Sequence, residues 1–223
     1  TALITNVAIQ KTTFKYEIPY MLLITAVLLV MGMTGNEITF IEGVILWILF
    51  IAYLLYLYFL AKKGNDSGDE QSVKLYPVWK CLLFIVLGGV CVVIGSQLVV
   101  NGATTIARAC GMSERFIGLT IVAFGTSLPE LVTSVSAARK GNAGIAIGNI
   151  VGSNIFNILF VIGTVALICP VPFESRFVID TVVAILCGVL LWGGTIRHKE
   201  LRKPCGVVML LCYAAYFVYL AAM

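Results

Sequence analysis

Charge is what this chain has least of. Only 12% of its 223 residues are Asp, Glu, Lys or Arg, where a soluble domain carries about 25%. So few charges cannot cover a surface of this size in water. With 60% hydrophobic residues and a mean hydropathy of +1.02, lipid is the natural covering, and the chain reads as a polytopic membrane protein. Histidine is nearly absent: the single one, His198, falls in a charged loop, which argues against a histidine metal centre or a serine–histidine nucleophile. No CxxC pair occurs among the seven cysteines, so thiolate-metal and dithiol redox chemistry are disfavoured, and small buried residues are expected instead. The net charge of +4 is spread over short loops, which excludes nucleic-acid binding as a main role.

A spanning helix needs about 20 mostly apolar residues. Such runs lie near 18–33, 40–60, 79–107, 116–138, 148–168, 177–196 and 206–223, giving seven helices, the first able to extend upstream. The polar stretch 62–78 is the one hydrophilic linker, separating two helices (1–61) from five (79–223). Twelve of the fifteen basic residues fall on one set of alternating loops; Arg108, Arg115 and Arg176 fall on the other. Because positive loops stay inside, the linker is expected to be cytoplasmic and the C-terminus extracytoplasmic, in a cell (inner or plasma) membrane.

Two stretches repeat. Ala2-Leu3-Ile4 recurs as Ala166-Leu167-Ile168, and Gly43, Ala52, Tyr53 and Tyr56 recur as Gly206, Ala215, Tyr216 and Tyr219. The repeat advances the chain by five helices, an odd number, so the copies must cross the membrane in opposite senses. Inverted repeats of this kind characterise secondary transporters, with the site near the midplane. The second copy follows the polar, glycine-rich stretch 118–163, whereas nothing precedes the first. The chain is therefore expected to be a fragment, the partner of that stretch lying upstream.

Most of the eleven acidic residues read as loop residues, and Asp180 reads as an interfacial partner of Arg176. Glu130 stands apart, deep in its run with no basic residue before Arg139. A charge at such depth costs about 2.5–3.5 kcal/mol on insertion scales, and is functional by default. The bland alternative is a protonated glutamic acid bonded within the bundle. In Gly125-Thr126-Ser127-Leu128-Pro129-Glu130, the proline removes the donor that the Gly125 carbonyl would have had. Such irregular backbone is tolerated at membrane depth only inside protein or along a cavity. Helical spacing lets Thr126, Ser127 and Glu130 share a face, gathering hard oxygen ligands suited to sodium or calcium. On the next helix Asn149, Ser153 and Asn157 form a polar stripe, while Gly144, Gly148 and Gly152 are expected to let helix backbones approach.

Gly118-Leu-Thr-Ile-Val-Ala-Phe-Gly-Thr-Ser-Leu-Pro-Glu130, followed by Gly148-Asn-Ile-Val-Gly-Ser-Asn-Ile-Phe-Asn157, resembles the second alpha repeat of the sodium/calcium exchanger (calcium/cation antiporter) superfamily, most of all its bacterial inner-membrane members. The resemblance implies an all-α inverted-repeat cation antiporter fold, of which this chain would supply the last seven of ten helices. It implies that Glu130 bridges calcium, that Thr126, Ser127, Ser153 and the Ala123 carbonyl serve calcium or flanking sodium ions, and that Asn157 is the central ligand of the second helix. Several family members carry aspartate at the position of Asn157; the neutral amide removes one charge and leaves selectivity, potassium dependence and stoichiometry open.

The function expected is therefore exchange of calcium for sodium by alternating access, with Ca2+ and Na+ as transported ions, no cofactor and the lipid bilayer as surroundings. Oligomeric state is not legible. Two alternatives stay open: proton-coupled cation exchange, since Glu130 can titrate, and a non-transporting membrane component lacking half of the ion site. An intramembrane protease fares badly, because the only histidine lies in a loop and a second buried aspartate is missing.

Overall fold

Local hydropathy and helix-breaking residues account for most of the secondary structure. The computed structural model describes residues 2, 6–64, 77–112, 114–140, 143–196 and 199–222; most of the expected linker, Leu3 and Ile4 of the repeat, Arg197 and His198 lie outside them. Ten α-helices follow in order: α1 Ile18–Gly35, α2 Phe40–Gly64, α3 Val78–Ala109, α4 Glu114–Ile117, α5 Ala123–Thr126, α6 Leu128–Arg139, α7 Ala143–Phe156, α8 Gly163–Ile168, α9 Ser175–Thr195 and α10 Lys203–Ala222. Wider π-helical turns continue three of them: Thr13–Glu17 ahead of α1, Gly118–Val122 between α4 and α5, and Asn157–Ile162 between α7 and α8.

Six helices are long and apolar enough to span a membrane, and the bent pair Thr120–Thr126 and Leu128–Arg139 makes a seventh if taken as one. The chain is thus an all-α, multi-pass membrane protein with the expected span count. The first span starts earlier than its apolar run, at Thr13, because Lys15 and Glu17 dilute the hydropathy of a turn that is nonetheless helical. The cysteines depart from expectation. None is buried, and Cys81, Cys91, Cys110, Cys169 and Cys212 are exposed, since a thiol is apolar enough to face acyl chains as well as a core. Arg176 takes Glu174, just ahead of α9, as an ion-pair partner at 2.9 Å.

Contacts divide the chain into two units. The first contains α1, α2, α7, α8, α9 and the start of α10; the second contains α3, α4, α5, most of α6 and the end of α10. In the first unit Ile18, Ile24, Leu46, Val151, Ile155 and Leu159 form a fully packed core. Trp47 and Phe50 of α2 pack their rings at a tilt against Phe160, with centroids 5.2 and 5.4 Å away, and the Trp47 indole N–H donates to Thr164 Oγ1 at 3.2 Å. In the second unit Arg108, at the end of α3, pairs with Glu114 at 2.6 Å. That hydrogen bond holds the Glu114 carboxyl below its usual range.

The inverted repeat is visible bond by bond within the first unit. Four two-residue strands, β1 Val7–Ala8, β2 Glu37–Ile38, β3 Val171–Pro172 and β4 Glu200–Leu201, pair antiparallel as β1 with β4 and β2 with β3. The repeat carries β1 onto β3 and β2 onto β4, so each sheet is the image of the other. Asn36 and Lys199, the residues just before β2 and β4, are the only non-glycine residues at positive φ among those described, at 56° and 52°. Each offers its carbonyl to the opposite copy: Phe173 N–H donates to Asn36 O at 2.8 Å, and Ile9 N–H to Lys199 O at 2.9 Å. The left-handed conformation is costly for a side-chain-bearing residue, and both copies retain it to make that bond.

Helix approach obeys the same symmetry. A Cβ on Gly43 would lie 3.0 Å from Ala166 Cβ, and one on Gly206 would lie 2.9 Å from Ala2 Cβ, the two contacts exchanging under the repeat. By contrast, within their own unit and among the described residues, a Cβ on Gly148 or Gly152 would meet nothing within 4 Å, and Gly144 touches the β1 backbone at Ala8 O, 3.5 Å away. Among the described residues of that unit, the stripe is therefore met only at Gly144, in ordinary contact with a strand; close helix packing within the unit is made at Gly43, Gly163 and Gly188. Gly43→Val is expected to lower stability by about 1–3 kcal/mol through overpacking. Gly193→Ala, where the described residues leave open space, should be neutral or stabilising; thermal melts in detergent compare the two.

Candidate ion-binding site

Pro129 breaks its helix where the sequence says it must. The axes of the two halves differ by 46°, and Ser127, between them, sits at φ −91°, ψ 0° with its N–H turned back to Phe124 O at 3.1 Å. The Gly125 carbonyl, deprived of the residue-129 donor, accepts instead from Ser96 Oγ of α3 at 2.7 Å. Gly125 is buried, and a Cβ there would run into Val100 of α3; only a hydrogen at that position lets α3 come close enough for Ser96 to reach. Nothing in the sequence marks Ser96, whose partner is 29 residues away.

Around this break the structure brings four of the expected ligands together. Thr126 Oγ1 donates to Ala123 O at 3.0 Å, so the hydroxyl and the carbonyl lie side by side on the last turn of α5. Each keeps a lone pair for another partner. Ser127 forms the break, and Glu130 occupies the first turn of α6, where the helix dipole favours a carboxylate. Glu130 is half-buried, with its Oε2 buried. A cavity of about 470 Å³ beside the break is lined by Cys91, Gly95, Ser96, Leu128 and Pro129; its one side-chain hydroxyl, on Ser96, is already given to Gly125.

The remaining expected ligands, Ser153 and Asn157, belong to the other unit. Ser153 is half-buried on α7, and Asn157 opens the π-helical turn Asn157–Ile162. Such turns recur at functional sites. Asn154, beside the stripe, spends its amide on its own helix, donating to Ile150 O at 2.8 Å.

The sequence profile of the family described as "Sodium/calcium exchanger protein" matches residues 80–222. The chain belongs to the sodium/calcium exchanger family. Inner membrane protein YrbG of Escherichia coli is 30% identical over 93% of this chain and 67% of its own length. Sodium/calcium exchanger MaX1 of Methanosarcina acetivorans is 38% identical over 63% of this chain and 41% of its own. Among solved structures, the sodium-calcium exchanger NCX_Mj, soaked with Na+ and no Ca2+, superposes with a TM-score of 0.78 at 32% identity. That match covers 97% of this chain and 69% of NCX_Mj. The family is one of membrane exchangers, not of enzymes, and the match extends through the alpha-repeat motifs.

Removing the Ser96 hydroxyl takes from the buried Gly125 the hydrogen bond that α3 supplies. Ser96→Ala is therefore expected to cost about 1–3 kcal/mol, read as a lowered melting midpoint. Thr105→Ala is the comparison, its hydroxyl serving only Asn101 O of its own helix, and should be near neutral.

Proposed function

We propose that this exchanger moves calcium against sodium by alternating access, the two ions competing for one set of oxygens. Glu130 would bridge calcium. Thr126, Ser127, Ser153, the Ala123 carbonyl and Asn157 would complete the calcium site and the sodium sites beside it. The observation that carries the reading is the proline-broken helix, with Glu130 one turn past a bend that gathers a hydroxyl and a carbonyl at 3.0 Å. Competition couples the fluxes: occupancy by one ion expels the other, and the inverted repeat supplies two halves that can exchange roles about the membrane midplane. No cofactor is needed, because the energy comes from the sodium gradient.

In proteoliposomes, Glu130→Gln should abolish sodium-gradient-driven 45Ca2+ uptake; uptake at the wild-type rate would remove Glu130 from the site. Running the wild type with a pH gradient in place of the sodium gradient separates sodium coupling from proton coupling. Asn157→Asp adds a negative charge to the ligand set and is expected to tighten calcium binding, measured as a lower KM for calcium.

The same reading takes 1–61 and 79–223 as the two halves, 62–78 as a cytoplasmic linker and the C-terminus as extracytoplasmic. Exposed Cys110 and Cys169 follow α3 and α8 and would then face outward. A membrane-impermeant maleimide should label both on intact cells; protection of both until permeabilisation would invert the orientation.

A further inference from the structure

Glu17 is an acidic side chain that the proposed exchange leaves without a task. Helical and only 9% exposed, it is no loop residue, although Lys15 two positions earlier makes it read as one. Among the described residues its carboxylate makes no hydrogen bond or ion pair. It is nevertheless a wall of two cavities in the first unit. One, of about 490 Å³, is lined also by Gln10, Thr13, Gly144, Gly148 and Asn149; the other, of about 310 Å³, by Tyr16, Tyr20, Tyr53 and Tyr56.

The chemistry of the larger cavity is that of a passing cation. Gln10, Thr13 and Asn149 add neutral hard oxygens to one carboxylate, a set that suits sodium or calcium. A resident metal would need more anionic ligands, and no group of three or more His, Cys, Asp or Glu able to hold one occurs among the described residues. The N-terminal end of α7, at Gly144, borders the same cavity and favours the negative charge of Glu17. An anionic carboxylate buried in such a place is costly unless a cation answers it. Asn149 is also the first residue of the row that continues through Ser153 to Asn157, so the cavity stands at the head of the stripe carrying two of the proposed ligands.

Resting on the exchange reading, we infer that Glu17 is a cation-recruiting site at one mouth of the ion path. Glu17 concentrates calcium and sodium ions ahead of the ligands at Ser153 and Asn157 and releases them inward.

Terbium(III), a luminescent stand-in for calcium, tests this without requiring transport, since tyrosines beside Glu17 can sensitise its emission. The assay uses purified protein in the Glu130→Gln background, which lacks the carboxylate of the proposed central site. There Glu17→Gln should cut tyrosine-sensitised emission about tenfold, while Glu17→Asp keeps most of it. Emission absent from the background protein, unchanged by Glu17→Gln, or lost alike in Glu17→Gln and Glu17→Asp overturns the inference. In proteoliposomes with Glu130 intact, Glu17→Gln should raise KM for calcium about tenfold from one face, as loss of electrostatic focusing predicts, with kcat preserved. An equal change from both faces, or a fall in kcat alone, also overturns it. Failure of the wild type to exchange calcium for sodium would instead sink the exchange reading, which the terbium assay does not probe.

Discussion

A backbone carbonyl without a donor cannot be left facing acyl chains, and Pro129 creates one at Gly125. Much of the geometry around the candidate site answers that single deficit. Ser96 supplies the missing donor at 2.7 Å. To do so α3 must lie against α5, and Val100 leaves no room for any side chain on Gly125. Once the deficit is met, the helix can turn by 46° and present Thr126, Ser127 and Glu130 from two short helices instead of one long one. The bend is thus a paid-for feature, and it sets Thr126 on the last turn of one helix and Glu130 on the first turn of the next.

A second constraint acts on the other unit. An inverted repeat must build the same contacts twice from sequences that have drifted apart. What persists is backbone: two sheets of two residues per strand, two left-handed residues, and two carbonyls handed across to the opposite copy. Some side chains differ between the copies, Asn36 against Lys199, while others are kept, Val7 as Val171 and Glu37 as Glu200. Close packing persists where a glycine meets an alanine, at Gly43 with Ala166 and at Gly206 with Ala2. A fold held by such paired elements keeps its two-fold pattern while its sequence drifts.

Glycine and acid patterns carry meaning only with their surroundings. Gly144, Gly148 and Gly152 have the spacing of a helix–helix seam, yet within their unit only Gly144 is approached closely, by a strand. Glu17 has the sequence context of a loop residue and the burial of a core residue. Spacing reports which residues share a face; it does not report what lies opposite that face.

Hydropathy, proline and charge placement act within a few residues along the chain, which is why the spans, the proline break ahead of Glu130 and the repeat were legible from the amino-acid order alone. The exchanger motifs were legible for the same reason, being contiguous. Only tertiary structure decided that Ser96 satisfies Gly125, that Glu17 is buried between two cavities, and that the repeat is stitched by β1 with β4 and β2 with β3. Each of these joins residues far apart in the chain, and burial and hydrogen-bond partnership belong to the packed neighbourhood that such residues share, not to the order in which they are linked.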